Sequence, residues 1–523
     1  MCPDASAKNS NRSKIQQFYE GKVIFLTGGT GFLGKILIDK LLRTCPTVER
    51  IFLLMREKNG LTIEERLTKL LDDMVFARLK KENPEFAKRL SVVHGDLHIP
   101  NLGLSANHVA LLSETVDIVV HSAATLRFDE RLGVAITTNV AGTKQLCLLA
   151  QEMSRLKAFV YVSTAFSNCD SAVIPESVCL PPICPDTLIL LSELLDEKML
   201  DNIAPLLLGA KPNTYIYTKS AAEGLINRFS STLPVAILRP SIVISTLSEP
   251  LPGWINNIQG PTGVVASASI GVLRAILCND HAVANLVPVD YTANAILALA
   301  YSVATQEWHN IKEKNGLPVI NFVSTQANNI TWGQFGDTME KYIRLYPSLN
   351  LMWYPFVLRP QSPWLSAVYN ILLHYLPALV VDSLNTLCGR PARLRMLCGR
   401  LDKYSRVLRY FSCRHFQFQE NNQRLLWESL EPQDQQEFPF HMGEISWEVM
   451  MAEYIRGCRQ YLLREEPATV VKARRRLQLL YAVHLVTKGA LLFVSARAIW
   501  NISKHIARGF ILHVPALSGR IKS

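Results

Sequence analysis

The chain reads as an α/β protein, a doubly wound parallel Rossmann sheet followed by an all-α region and a hydrophobic C-terminal segment. Three observations carry that expectation. Between Lys22 and Val162, short apolar runs alternate with longer helical patterns, the arrangement that builds βαβ units. The first run ends in a glycine-rich turn, where a doubly wound sheet makes its first crossing into a helix. After about Tyr346 the texture changes. Pro347, Pro355, Pro360 and Pro363 crowd one segment, and long helical patterns follow as far as Leu463. The 523 residues exceed the roughly 250–300 that one core sustains. The expected division is a disordered N-terminus over 1–15, an α/β unit over 16–346, a helical unit over 347–465, and a basic then apolar segment over 466–523.

The strands follow in order. KVIFLTG, RIFLLMR, LSVVHGDL, DIVVHSAA and AFVYVSTA each carry four to six apolar residues and end near Gly, Asp or Ser. Unbroken apolar runs, without in–out alternation, fit strands buried on both faces. PVAILRP at 234–240 and VINFVS at 319–324 extend the series. Helices are expected over Phe32–Leu42, Thr62–Met74, Ser105–Ser113, Val134–Met153 and from near Tyr215. The apolar run at 364–381 is expected to be a buried helix pair, because Pro377 interrupts it.

Composition excludes several classes. A 49% hydrophobic and 19% charged chain is not a disordered one. Eleven cysteines without a C-x-x-C pair argue against a disulfide scaffold or a zinc site and fit a reducing compartment, so no metal is expected. The net charge of +11 has its tightest cluster at Lys472-Ala-Arg-Arg-Arg476, directly before the run Leu477–Val494. Charge beside an apolar stretch marks a membrane edge and not a nucleic-acid surface. Leu477–Ala496 has about the 20 residues a bilayer span requires, although His484 and Lys488 interrupt it. If the run enters a bilayer, Arg474–Arg476 hold the catalytic part on the cytosolic side. The polar N-terminal 20 residues lack the apolar core of a secretory signal.

Four groups carry chemistry. Thr27, Gly28, Thr30, Gly31, Phe32, Leu33 and Gly34 form a turn with glycines three apart, after a strand and before a helix. Such a turn lets a pyrophosphate reach the backbone and meet the helix N–H groups. Arg56, at the end of the second run, offers a cation where NAD-preferring folds usually carry an acid, which favours NADPH; Glu57 beside it leaves an ordinary solvated charge open. Tyr215 and Lys219 stand at i and i+4, so a phenol and an ammonium share a helix face and the ammonium can lower the phenol's pKa. Ser163 and Thr164 close the fifth run, and strand alternation allows only one of them to face a site at the strand end.

Together these residues resemble the extended short-chain dehydrogenase/reductase family. The resemblance implies that Thr164, Tyr215 and Lys219 are catalytic, with Ser163 a rival because the family's usual residue is Ser. It also implies that Asp96-Leu97 meet the adenine, with a helix cap the other reading of Asp96, that Ala123 and Ala124 wall the cofactor, and that Arg239-Pro240-Ser241 line it. Further along, Pro252-Gly-Trp, Gly260-Pro-Thr-Gly263 and Val287-Pro-Val-Asp290 are similar to the fatty acyl-CoA reductase branch. Leu376-Pro-Ala-Leu, Asp382 and Gly389-Arg-Pro391 are similar to that family's C-terminal sterile domain. The narrower resemblance implies reduction of a long-chain or very-long-chain acyl-CoA to a primary alcohol by two NADPH-dependent steps through a bound aldehyde, with release of CoA. An apolar tunnel would come from loop 252–263 and the helical unit, with Trp254, Trp353 and Trp364 as aromatic candidates or plain core. Cys169 has no histidine near it in sequence, which disfavours a covalent acyl-enzyme. The same resemblance implies association with membrane lipid at the endoplasmic reticulum or peroxisome. A reductase of a sterol or other lipid alcohol, or an idle lipid-binding scaffold, are the competing readings.

Overall fold

The computed structural model describes residues 12–308 and 316–512, with side chains as far as 506. Seven parallel strands form the central sheet: β1 (Val23–Thr27), β2 (Arg50–Met55), β3 (Leu90–His94), β4 (Ile118–His121), β5 (Ala158–Val162), β6 (Val235–Pro240) and β7 (Val319–Phe322). Their order is β7-β6-β5-β4-β1-β2-β3. Thr27 of β1 lies opposite Leu54 of β2 on one side and His121 of β4 on the other. The order reverses between β1 and β4, so a crevice opens beyond the strand ends there.

The apolar runs are continuous because successive residues serve two cores. Ile24, Leu26, Ile51, Leu53, Val120 and Val160 pack against Ile36 and Leu41 of helix Phe32–Thr44 and against Ile296 and Leu299 of helix Val289–Ala304. Val23, Phe25, Phe52, Val119, Phe159 and Tyr161 face the other way, onto Leu146, Leu149, Ala222 and Ile226. Each such side chain contributes about 1.5–3 kcal/mol by leaving water.

The expected helices are present with shifted ends. Thr62 caps Ile63–Leu71 in a reciprocal box with Glu65, and the helix ends at its C-cap Asp72, before Met74. Ser105 caps Ala106–Thr115. The helix expected over Val134–Met153 runs from Leu132 to Gln151 with a π turn at Thr137–Ala141. Asn213 caps Thr214–Phe229, accepting from the Ile216 N–H at 2.9 Å.

Among the described residues after Tyr346, an irregular stretch to Ser362 is followed by helices, with Gln417–Phe418 a short strand that pairs in parallel with Val173–Ile174. This part is bound tightly to the sheet half. Asn422 Nδ2 donates to Val319 O of β7 at 2.7 Å, Gln423 Oε1 accepts from Val323 N at 2.9 Å, and Asp434 Oδ1 accepts from Ile15 N at 2.9 Å.

One expectation fails. The run at 364–381 is not a buried pair but a single helical stretch, Pro363–Leu387, with a π turn at Ile371–Tyr375, and most of its apolar side chains are exposed. Pro377 stands in the first turn of its second half and breaks nothing, since its missing N–H falls just after the π turn. A second exposed apolar helix, Val470–Leu512, begins at the basic cluster. Arg474 and Arg476 tie its base to the carbonyls of Leu345 and Leu351.

Candidate active site

The glycine turn is built for a close visitor. Gly28 takes φ +79°, and a Cβ there would lie 2.7 Å from Ser122 Oγ. At Gly34 a Cβ would lie 2.2 Å from the Gly28 carbonyl, so the helix could not approach the turn. Gly31, the N-cap of Phe32–Thr44, supplies no side chain to the helix start and leaves its N–H groups open. Thr30, Gly31, Phe32, Leu33 and Gly34 all border one cavity of about 830 Å³. A dinucleotide pyrophosphate fits such a turn, and a nicotinamide cofactor is the group that these residues suit. Of the seven turn residues singled out in the sequence, Thr27 alone lies off the cavity wall. It is fully buried, with Oγ1 2.7 Å from His121 Nδ1 and accepting from Ala123 N at 3.2 Å, so it knots β1 to β4 under the site. His121 completes the knot at Thr143 Oγ1, 2.9 Å away, and burial with Lys219 nearby pushes its pKa down to about 3.

Arg56 reaches the same cavity, but its guanidinium is engaged: Nη1 donates to Asp96 Oδ2 at 2.7 Å. Burial works to raise the Asp96 carboxyl, and Arg56 and His98 outweigh it, leaving it below its ordinary value. Asp96 also accepts from His98 N at 3.0 Å, so it both shapes its own loop and borders the cavity beside Leu97. Two further cations, Lys58 and Arg66, border the cavity here, while Glu57 points to solvent. Arg66 donates to the Arg56 carbonyl and, at 3.3 Å, to Thr30 Oγ1. Arg66 lies on a helix ten residues past Arg56, and nothing in its sequence spacing marks it.

A buried ion pair engages one of the two neighbouring hydroxyls. Glu223 and Arg239, neither exposed, meet at 2.7 Å, and Ser163 Oγ donates to Glu223 Oε1 at 2.5 Å. Arg239 also donates to the carbonyls of Pro175 and Ser177. Arg239 is therefore not a cavity residue, although Pro240 and Ser241 after it are. Ser163 borders the cavity but spends its proton inward, while the Thr164 hydroxyl stands against the Tyr215 phenol.

Tyr215 lies on the cavity wall, stacked on Phe128 at 5.8 Å. Burial raises its phenol well above the ordinary value, Thr164 works against that, and Glu223 adds to it. The ammonium expected to lower it is turned elsewhere. Lys219 Nζ donates to Val162 O at 2.7 Å and lies over the Tyr161 ring at 4.5 Å, and burial lowers its pKa to about 7 against the pull of Glu223. Tyr217 packs into the core with Leu132 and Leu188.

Ala123 and Ala124 border the cavity with Thr164, Tyr215, Lys219 and Pro240. Beyond them the cavity continues over Val264, Ile276, Phe335, Met339 and Val357, and along Lys403, Tyr404, Val407 and Phe411 of helix Leu394–Ser412. Loop 252–263 contributes Asn257, Gln259, Gly260 and Pro261. None of the three tryptophans lines it. Trp254 is buried against Phe32 at 5.4 Å, Trp353 stacks under Arg274, and Trp364 faces outward. Cys169 lies off the cavity with its thiol taking a hydrogen bond from Tyr410, and the one cysteine on the wall, Cys278, has its thiol pushed by burial up to about 12.

The chain matches the male sterility protein family over residues 26–296, in a NAD-binding model, and over 373–465, in a sterile-domain model. It is 37% identical to fatty acyl-CoA reductase wat of Drosophila melanogaster over 495 residues, covering 94% of each chain. It is also 35% identical to human fatty acyl-CoA reductase 2, covering 93% of each. This chain belongs to the fatty acyl-CoA reductase family. It is accordingly an oxidoreductase of the Rossmann, short-chain dehydrogenase/reductase type. Among solved structures, the reductase domain of a nonribosomal peptide synthetase from Mycobacterium tuberculosis aligns with a TM-score of 0.55 at 21% identity, over 85% of this reductase and 92% of that chain. The terminal reductase domain of a myxalamid pathway aligns at 0.52 and 20%, over 84% and 90%. Those two likenesses concern the fold.

Proposed function

We propose that the reductase converts a long-chain or very-long-chain fatty acyl-CoA to a primary alcohol, releasing CoA, with NADPH as the cofactor and an aldehyde held between two reductions. The observation that carries this reading is a single cavity: the glycine turn, the Thr164–Tyr215–Lys219 group and a long apolar wall border the same space. NADPH supplies the hydride in each reduction. The chain's own residues do the rest. Thr164 and Tyr215 donate hydrogen bonds to the carbonyl oxygen as negative charge gathers on it. In the first reduction that stabilisation precedes loss of CoA as its thiolate. In the second, Tyr215 gives its proton to the alkoxide oxygen. Lys219, held under the site on the Val162 carbonyl, adds positive potential beneath it while protonated. The apolar wall excludes water and holds the acyl chain along Val264, Phe335 and Met339.

Preference for NADPH rests on Arg56, Lys58 and Arg66, three cations at one rim with Asp96 the carboxylate among them. Arg56→Glu is expected to weaken NADPH more than NADH. Equal losses would remove Arg56 from that role.

We read the chain as a catalytic unit over 16–346, a helical unit over 347–465 and a membrane-associating segment over 466–523. The helix Val470–Leu512 enters the lipid with the catalytic part on the cytosolic side, at the endoplasmic reticulum or peroxisome. Its exposed Val486, Phe493 and Trp500, following Arg474–Arg476, support this. The test of function is product analysis of detergent-solubilised enzyme given NADPH and a pool of acyl-CoAs. Alcohols from the native chain and none from Tyr215→Phe are expected. Absence of both alcohol and aldehyde, from protein that binds NADPH, would overturn the reading.

A further inference from the structure

The helix Pro363–Leu387 is amphipathic in the wrong sense for water. Its inward positions are Ser366, His374, Ala378 and Asp382, each less than a tenth exposed and three of them polar. Its outward positions recur at seven or eight residues, Trp364, then Ile371 and Leu372, then Leu379 and Val380, with Leu384 four further on, all 46–69% exposed. In a helix that borders solvent the apolar stripe packs inward. Here the polar stripe does, and it is satisfied there. His374 Nε2 accepts from Arg274 N at 2.9 Å, and Asp382 accepts from the N–H groups of Arg393, Leu394 and Arg395 at 2.9–3.1 Å. A continuous apolar stripe of this length is the signature of a surface that lipid covers.

The cap at Asp382 also fixes the path. It pins the start of Leu394–Ser412, which returns alongside and packs on Leu376–Leu387. The returning helix carries Arg395, Arg400, Lys403, Arg406 and Arg409, too many cations to enter the acyl region, so the pair stays at one leaflet. Its charge fits one leaflet surface: from 363 to 412 there are seven Lys and Arg against two Asp, one of which is the buried Asp382. Basic residues beside an apolar stripe suit anionic headgroups over acyl chains. A second observation joins this surface to the other exposed apolar helix. Arg274 donates to Leu373 O at 3.0 Å and stacks on Trp353 at 5.3 Å, and Trp353 Nε1 donates to His484 Nδ1 at 3.2 Å. The two apolar helices thus share one hub.

We propose that Pro363–Leu387 lies in the plane of the membrane, its outward stripe sunk into the acyl region of the leaflet that faces the catalytic unit, with the arginines of 390–409 at anionic phosphates. This second membrane contact is separate from the C-terminal helix. It bears on the substrate as well. The returning helix lends Lys403, Tyr404 and Phe411 to the cavity, so the acyl chain passes between leaflet and cavity along that helix.

The inference extends the membrane reading above, and one experiment separates the two. The full chain, with exposed Cys184 and Cys388 replaced by Ser, takes a bimane label at Leu379→Cys or, on another exposed surface, at Leu190→Cys. It is reconstituted with vesicles of phosphatidylcholine and phosphatidylserine, and flotation is scored first. Bimane at 379 is expected to be quenched by lipid-borne nitroxide and shielded from iodide, and at 190 the reverse. Each signal is read against the unsubstituted parent carried through the same labelling. Iodide quenching at 379 in protein that floats would overturn the inference while leaving the C-terminal anchor standing. Shielding from both quenchers would mean that protein covers the stripe and would equally overturn it. Failure to float would remove both readings.

Discussion

Ser163 and Thr164 are neighbours with the same functional group and opposite employment. Ser163 holds Glu223 inside the Arg239 pair, while Thr164 meets the Tyr215 phenol at the cavity. Thr164→Ala should lower kcat by about 10²–10³, the usual cost of an oxyanion donor, with folding intact. Ser163→Ala should instead cost about 1–3 kcal/mol in a urea titration and change kcat little. The reverse pattern would exchange their roles. Lys219 gives a pH test. Burial holds its pKa near 7, so the ammonium is present below that value and lost above it. The free-enzyme profile of kcat/KM is expected to fall as pH rises through about 7, and Lys219→Arg, charged throughout, should lack that limb. The sequence named Tyr215, Lys219 and both hydroxyls because their spacing is local. It could not divide the hydroxyls, because what divides them is a glutamate 60 residues on and an arginine beyond that. Arg66 and the Thr27–His121–Thr143 knot were invisible for the same reason.

Among the elements, the strands were the most legible. A run buried on both faces has an unbroken apolar signature, and all seven expected runs are strands of the sheet. Helix ends moved by one to a few residues: the helix expected over Thr62–Met74 takes Thr62 as its cap and closes at Asp72. The stretch 364–381 misled because hydrophobicity alone reports transfer out of water and does not distinguish protein from lipid. Two glycines show how tightly elements are fitted. A Cβ on Gly34 would lie 2.2 Å from Gly28 O, and a Cβ on Gly457 would lie 1.7 Å from Gly253 O. Gly34→Ala should abolish nucleotide binding, read by titrating NADPH fluorescence, by pushing the helix off its turn. Gly457→Ala should instead lower the unfolding temperature by parting helix Trp447–Gly457 from loop 252–263, with nucleotide affinity retained in the folded fraction. If both variants bind normally and melt normally, the close approaches are not real constraints.

For the molecule as a whole, the helical C-terminal half and the sheet form one working body, since cavity walls come from both. The Arg239–Glu223 pair sits at their meeting: Arg239 stands on β6, next to the edge strand β7, and donates to carbonyls at 175 and 177 beside strand Val173–Ile174, which Gln417–Phe418 extends. Glu223→Ala should cost about 3–5 kcal/mol, because it strands a buried guanidinium. A loss below about 1 kcal/mol, in the range of an exposed pair, would show that water reaches the site. Fold class and family were legible along the chain, whereas the way one half closes the other's cavity depends on contacts hundreds of residues apart.

In the proposed reaction one cavity carries an acyl group through two successive reductions before release. The most direct test uses NADPH carrying two deuteriums at C4 of the nicotinamide and a saturated acyl-CoA, with mass analysis of the alcohol. The account predicts two deuteriums at C1 of every alcohol molecule, free CoA in equal amount, and neither product from Tyr215→Phe. Aldehyde with a single deuterium as the sole product, or alcohol carrying none, would contradict it.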